Sequence, residues 1–186
     1  MYRFHVASLY RYLVFHADPH PGNYAFRRGP DGLEVVVYDF GSVREFPRPI
    51  VAALARTADA VRRDDMPSAF AALAEVGARP PVDATERQLL RGLMRGYFAP
   101  LLTPGVRPME LASTWEARDL MADKRRLMRL RLPPEMMFLF RLRFGLYSVL
   151  HRMGARADWS GLEVGWAKDC GLEAPGASAS ASGDGR

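Results

Sequence analysis

Residues 16–41 read H-A-D-P-H-P-G-N-Y-A-F-R-R-G-P-D-G-L-E-V-V-V-Y-D-F-G and decide the fold of this chain. Asp18 and Asn23 lie five positions apart in a proline-rich loop, and Asp39 heads D-F-G. Proline fixes φ and lowers the conformational freedom of such a loop, and Gly22 can adopt a left-handed turn. Carboxylate and amide oxygens are the ligands that Mg²⁺ prefers. The pattern therefore predicts a rigid loop that presents oxygen ligands.

The segment between the loop and D-F-G predicts a β-hairpin. Residues 24–27 and 33–39 have the composition of strands, and R-G-P-D-G between them is typical of a turn. The hairpin sets Asp39 at a strand end, beside Asn23 at the start of the partner strand. One shared metal site requires this juxtaposition.

The order of the three residues indicates kinase-type phosphoryl transfer. In that arrangement Asp18 is catalytic, because it orients the attacking group or takes up its proton. Asn23 and Asp39 bind Mg²⁺ and, through it, the phosphates of ATP. We expect His16 to bond backbone groups and hold the loop's shape; a catalytic base at His16 and a metal ligand at His20 are the alternatives.

These sequence motifs resemble those of the UbiB/AarF family of atypical kinase-like proteins. The likeness includes H-A-D-P-H-P-G-N, then L-E-V-V-V-Y-D-F-G-S-V-R-E-F, and later L-P-P-E-M-M-F-L-F-R-L-R-F-G-L-Y-S-V-L-H-R-M-G-A. It covers most of residues 1–165 and the second half of a family member. The resemblance implies Mg²⁺- and ATP-dependent kinase or ATPase chemistry that supports ubiquinone biosynthesis or lipid homeostasis, with quinone-biosynthesis proteins as partners.

The sequence lacks the motifs of the nucleotide-binding lobe that a complete kinase-like protein carries. Residues 1–15 contain neither glycine nor lysine, and the family's K-x-G-Q motif is absent. We therefore expect a C-terminal lobe that is inactive as an isolated chain and needs a nucleotide lobe in cis or in trans. Three explanations for the absent lobe remain open: the chain is a fragment, its gene start is misplaced, or it is one half of a split protein.

Two further function classes remain. A small-molecule phosphotransferase of the aminoglycoside or choline kinase type has similar catalytic motifs, and a non-catalytic pseudokinase binding module could keep the motifs.

Phosphorylation of protein substrates is disfavoured because only residues 42–46 separate D-F-G from Pro47, no A-P-E follows, and Ala17 stands where protein kinases carry arginine.

The remaining chain predicts helices, so the fold class is α+β and mostly α-helical. Apolar spacing predicts helices over 3–15 and through 47–170, including a basic one at 112–132 and an apolar one at 133–153. Asp83 and Glu86 form a capping box. We expect a kinase-like C-terminal lobe at 1–170, with a catalytic loop at 16–23 and D-F-G at 39–41, and a disordered polar tail at 171–186.

Charge and composition limit the partners. The net charge is +5, almost wholly from arginine, and favours phosphates or anionic lipid. The basic run at 124–131 predicts peripheral contact with an anionic membrane surface. No nucleic-acid motif is found. The single Cys170 excludes an internal disulfide, and no signal peptide is evident, so a cytoplasmic protein at the inner face of the membrane is expected.

Overall fold

The computed structural model describes residues 1–30, 32–111 and 132–172. Its helices and strands, in chain order, are a π-helical stretch Arg3–Ala7, α1 (Ser8–Tyr12), β1 (Val14–His16), β2 (Tyr24–Gly29), β3 (Gly32–Val37), β4 (Val43–Glu45), α2 (Arg48–Arg62), α3 (Met66–Ala74), α4 (Ala84–Tyr97), β5 (Arg107–Pro108), α5 (Pro134–Arg152), β6 (Arg156–Ala157) and α6 (Trp159–Asp169). The predicted class, mostly α-helical with small antiparallel sheets, is confirmed.

The N-terminal helix is shorter than predicted. It ends at Tyr12 because Leu13 adopts a left-handed conformation with φ of 60°. The next residues form β1, which pairs antiparallel with β4 so that His16 faces Val43. The prediction of a helix over 3–15 is therefore wrong at its end. A short apolar run fits a buried strand and a helix equally well, and only the distant partner decides between them.

The predicted hairpin is confirmed. Strands β2 and β3 pair antiparallel from Tyr24↔Val37 to Gly29↔Gly32, so the turn falls where R-G-P-D-G placed it. Gly32 has φ of +119°, a conformation that L side chains rarely adopt. Strand β2 begins at Tyr24 and β3 ends at its partner Val37, two residues before Asp39, so the loop that precedes β2 and the D-F-G that follows β3 lie at the same end of the hairpin.

Helices α2 to α6 form the body of the protein. Asp83 caps α4 by accepting a hydrogen bond from the Glu86 amide, as predicted, while Glu86 itself pairs with Arg79 and the Val82 amide. The predicted helix at 112–132 and the tail from 173 onward lie outside the described residues. Among the helices that are described, none is both long enough and apolar enough to span a membrane.

Helix α5 lies in the core and carries a buried ion pair. Its buried side chains include Met136, Leu139, Leu146 and Tyr147. Arg143, on the same helix, is fully buried and pairs with Glu163 of α6. The prediction that the apolar helix 133–153 is buried is confirmed for these residues, and its central place in the helical region stays a prediction.

Candidate active site

Asp18 and Asn23 are in direct contact. The Asn23 Nδ2 atom lies 2.9 Å from the Asp18 Oδ2 atom and 3.2 Å from the Asp18 carbonyl oxygen. Both of these Asp18 atoms are acceptors when the carboxyl group is ionised, so the side-chain nitrogen of Asn23 must face them. This orientation leaves the amide oxygen of Asn23 as the atom that faces other ligands.

The loop between β1 and β2 is held by its own polar groups. The His20 Nδ1 atom accepts a hydrogen bond from the Gly22 amide at 3.1 Å and caps the short 3₁₀ turn Pro21–Asn23. The Asn23 amide donates to the His20 carbonyl at 3.0 Å. His20 thus has a structural role in the turn, and the described contacts do not bring it to a metal site.

Helix α5 supports the loop from below. A Cβ atom at Gly145 would lie only 3.2 Å from the Pro19 Cγ atom. This spacing is tighter than ordinary van der Waals contact, so the glycine is what permits the close approach of helix and loop. The loop therefore rests on a rigid element.

Asp39 is joined to the loop through its backbone. The His16 Nε2 atom lies 2.6 Å from the Asp39 carbonyl oxygen, and because a carbonyl only accepts, His16 carries its proton on Nε2. The expected structural role of His16 is thereby confirmed. Next to Asp39, the Tyr38 amide donates to the Asn23 carbonyl at 3.0 Å. The two motif segments are thus tied together at two points.

The side chain of Asp39 is exposed and only partly engaged. Its Oδ1 atom accepts a hydrogen bond from the Gly41 amide at 2.7 Å. The second carboxylate oxygen has no hydrogen-bond partner in the part of the chain that the structure describes. Asp18 and Asn23, by contrast, are half-buried. Among the described residues, one carboxylate oxygen of Asp39 and the amide oxygen of Asn23 thus have no hydrogen-bond partner, and the Tyr38–Asn23 backbone bond holds their two segments together.

The β1–β4 pairing fixes the start of the loop. The Ala17 amide donates to the Ser42 carbonyl at 2.6 Å, directly after the last residue pair of this small sheet. The residue that precedes Asp18 is therefore bonded to the segment that follows D-F-G. Sequence reasoning missed this pairing, because strands of three residues carry almost no periodicity.

His5 and Tyr24 form a buried polar contact beneath the loop. The His5 Nε2 atom lies 2.6 Å from the Tyr24 hydroxyl oxygen. Burial, with the nearby His16 as a smaller cause, lowers the pKa of His5 to about 3. Burial first and the Asp18 charge second raise the pKa of Tyr24 to about 12. Sequence reasoning singled out neither residue. The available signal was His5, a histidine on the apolar face of the predicted helix, because a buried histidine needs a polar partner.

The donor set fits a magnesium ion that is shared with phosphate. Within the described ranges, no group of three or more histidine, cysteine, aspartate or glutamate side chains is placed to hold a metal. Mg²⁺ usually keeps several waters and takes one or two protein carboxylates plus substrate phosphates. One oxygen from Asn23 and one from Asp39 meet that requirement, both being hard ligands. The residues present therefore fit the ion in combination with a phosphate group.

Apolar side chains lie exposed around this side of the hairpin. Tyr38 and Phe40, which flank Asp39, are 67% and 59% exposed. The Phe40 ring contacts the rings of Phe4 and His16 edge-on, with centroids 6.2 and 6.5 Å apart. Both rings therefore lie at the surface on either side of Asp39.

Comparisons with known proteins agree with this geometry at the level of a domain type. No curated protein gives a significant match to the chain. Residues 1–72 match the family model of the ABC1 atypical kinase-like domain. The matched range contains Asp18, Asn23, Asp39 and every strand from β1 to β4. The chain is thus similar, over the part that forms the candidate site, to an atypical kinase-like domain.

Proposed function

We propose that this chain forms the catalytic lobe of an ABC1-type atypical kinase-like protein that uses Mg²⁺ and ATP for phosphoryl transfer or ATP hydrolysis. The observation that carries the proposal is the orientation of the Asn23 amide. Its nitrogen is held by Asp18, so its oxygen is free to bind a cation beside Asp39. The family match over residues 1–72 supports the same conclusion.

Each of the three residues has a distinct role in this proposal. The half-buried Asp18 carboxylate orients the attacking hydroxyl or water and accepts its proton. The amide oxygen of Asn23 and the free carboxylate oxygen of Asp39 bind Mg²⁺, which neutralises charge on the phosphates when bound. The hydrogen bond from His16 to the Asp39 carbonyl holds the Asp39 backbone against the start of the loop that carries Asn23. Such catalysis relies almost entirely on positioning and charge, which a rigid loop provides.

The biological setting that we propose is isoprenoid-quinone metabolism or lipid homeostasis. Its support is the resemblance of H-A-D-P-H-P-G-N and D-F-G-S-V-R-E-F to UbiB/AarF proteins. In that setting the chain works with a nucleotide-binding lobe, in the same polypeptide or a separate one. The exposed Tyr38 and Phe40 are suited to contact such a lobe.

The metal site is tested directly with Mn²⁺, a paramagnetic substitute for Mg²⁺. In a ¹⁵N-labelled chain with pyrophosphate present to supply the phosphate oxygens, we expect Mn²⁺ to broaden the amide signals of residues 22–24 and 39–42 first. Asp39→Asn should abolish this selective broadening. Asp169→Asn is the matched control, because Asp169 is an exposed carboxylate on α6 that forms only a long ion pair, 3.9 Å, with Arg11. Equal broadening in wild type and Asp39→Asn would refute the metal assignment.

The chemistry is tested in a protein that joins this chain to a nucleotide-binding lobe. We expect Asp39→Asn to weaken magnesium-dependent ATP binding sharply. We expect Asp18→Asn to leave binding in place and to reduce turnover by about 10²-fold or more. Metal binding without any ATP binding or turnover in the joined protein would instead favour a non-catalytic module.

Peripheral membrane binding is part of the proposal. Its support is the basic run at 124–131, which lies outside the described residues, together with the net charge of +5. Each basic residue near an anionic surface contributes about 1 kcal/mol. Flotation with liposomes should recover the protein on anionic vesicles and not on neutral ones. Equal recovery on both would contradict this part of the proposal.

A further inference from the structure

We propose that His5 and Tyr24 act as positioning residues that brace both ends of the loop carrying Asp18 and Asn23. The proposal takes its functional meaning from the phosphoryl-transfer site described above. It adds to that site two buried side chains that touch neither metal nor substrate. Their task is to fix where the loop begins and where it ends.

The geometry places His5 between the two ends of the loop. His16 is the last residue of β1 before the loop, and Tyr24 is the first residue of β2 after it. The His5 ring lies 5.5 Å from the His16 ring and 5.9 Å from the Tyr24 ring, measured between centroids. The His5 side chain therefore contacts both residues that flank the loop, His16 before it and Tyr24 after it.

The contact with Tyr24 is directional as well as close. The His5 Nε2 atom and the Tyr24 hydroxyl are 2.6 Å apart, and His5 is fully buried. A buried hydroxyl that loses its partner is costly, so this bond restricts the Tyr24 ring more than packing alone would. His5 itself is anchored in the core, since its neighbour Val6 is also fully buried.

Displacement of Tyr24 is transmitted to the ligands through the backbone. Asn23 precedes Tyr24 directly, and its side chain holds the Asp18 carboxylate at 2.9 Å. On the other side, His16 holds the Asp39 carbonyl at 2.6 Å. His5 therefore contacts both His16, which bonds the Asp39 carbonyl, and Tyr24, which directly follows Asn23. Asn23 in turn holds Asp18.

The test compares two variants that each lose one buried tyrosine hydroxyl. Tyr24→Phe removes the bond to His5. Tyr10→Phe, the matched control, removes a bond to the Glu163 Oε2 atom at 2.9 Å in a different part of the core. The readout is the exchange rate of the Asn23 side-chain and backbone amide protons, measured by NMR in the full chain of residues 1–186.

We expect Tyr24→Phe to speed exchange at Asn23 by about five- to tenfold, as the loss of one buried hydrogen bond predicts. Tyr10→Phe should leave Asn23 exchange at the wild-type rate, even though it also lowers the unfolding midpoint. His5→Leu should speed exchange as Tyr24→Phe does, and the double variant should add nothing further. Unchanged exchange in Tyr24→Phe, or equal acceleration in Tyr10→Phe, would overturn the proposal.

Titration with Mn²⁺ separates this proposal from the proposed function. If wild type shows no selective broadening at residues 22–24 and 39–42, the metal site is refuted, while the exchange rates still decide whether the brace exists. If wild type binds Mn²⁺, Tyr24→Phe should weaken the binding about five- to tenfold and Tyr10→Phe should not. Wild-type Mn²⁺ affinity in Tyr24→Phe would show that the brace does not position the ligands.

Discussion

Arg143 of helix α5 and Glu163 of helix α6 form an ion pair in the interior of the protein, with side chains 0% and 4% exposed. The Arg143 Nη1 atom lies 3.1 Å from the Glu163 Oε2 atom, and the Nη2 atom contacts Oε1. The hydroxyls of Tyr2 and Tyr10 donate to the same carboxylate. The pair therefore joins the two C-terminal helices to the N-terminal segment that leads into the candidate site.

Breaking this pair should destabilise the protein strongly. Arg143→Met leaves a buried carboxylate without its cation, and Glu163→Gln leaves a buried guanidinium without its anion. Each should lower the free energy of unfolding by about 3–5 kcal/mol. The double variant should lose clearly less than the sum of the two, because it buries no unpaired charge. Urea unfolding followed by circular dichroism measures all three.

The exposed pair Arg11–Asp169 is the control for this cycle. Its charged groups are 3.9 Å apart and more than half of the carboxylate side chain is exposed. Arg11→Met should change the free energy of unfolding by about 1 kcal/mol or less. Strict additivity of Arg143→Met and Glu163→Gln would show that the two charges do not depend on one another.

His5 should make the fold sensitive to acid. Burial lowers its pKa from the ordinary 6.5 to about 3 in the folded protein. Between these values the unfolded chain binds the proton more readily, so stability that is present above pH 6.5 is lost as pH falls toward 3. One pKa unit corresponds to about 1.4 kcal/mol, so the loss is on the order of a few kcal/mol. Thermal unfolding at a series of pH values measures it.

The variant His5→Gln should flatten this dependence, because glutamine does not titrate. A wild-type slope between pH 6.5 and pH 4 in His5→Gln would mean that other groups cause the acid sensitivity.

Gly145 should resist substitution although it lies within a helix. Gly165 in α6 has open space around the position of a Cβ atom, so Gly165→Ala should stabilise the protein by up to about 1 kcal/mol. At Gly145 the same gain is opposed by the contact with Pro19 at 3.2 Å, so Gly145→Ala should gain less. Gly145→Leu should destabilise by about 1–3 kcal/mol. Thermal midpoints of the three variants provide the comparison.

The Gly145 series also reports on the candidate site. If Gly145→Ala stabilised the protein as much as Gly165→Ala does, the loop would not rest firmly on α5. We further expect Gly145→Leu to shift the amide signals of residues 18–23 in NMR spectra. Shifts confined to α5 would contradict a supporting contact between helix and loop.

The sequence by itself determined the local features of the site. The prolines and Gly22 predict a rigid loop, and the spacing of Asp18 and Asn23 places them together in it. The turn R-G-P-D-G, between two runs of strand-forming residues, predicts the hairpin. Asp83 predicts the start of α4. These features depend on residues a few positions apart, so turn chemistry and periodicity are sufficient to predict them.

Only the tertiary structure decided which distant residues support that site. Val14–His16 is a strand because residues 43–45 lie beside it, and no local pattern distinguishes this from the end of a helix. His5 meets Tyr24, and Arg143 meets Glu163, through burial that brings separate elements together. A buried polar group needs a partner, but its own neighbours in sequence do not specify which one. The sequence thus predicts the candidate site residues, whereas the contacts that hold their segments in place follow from packing.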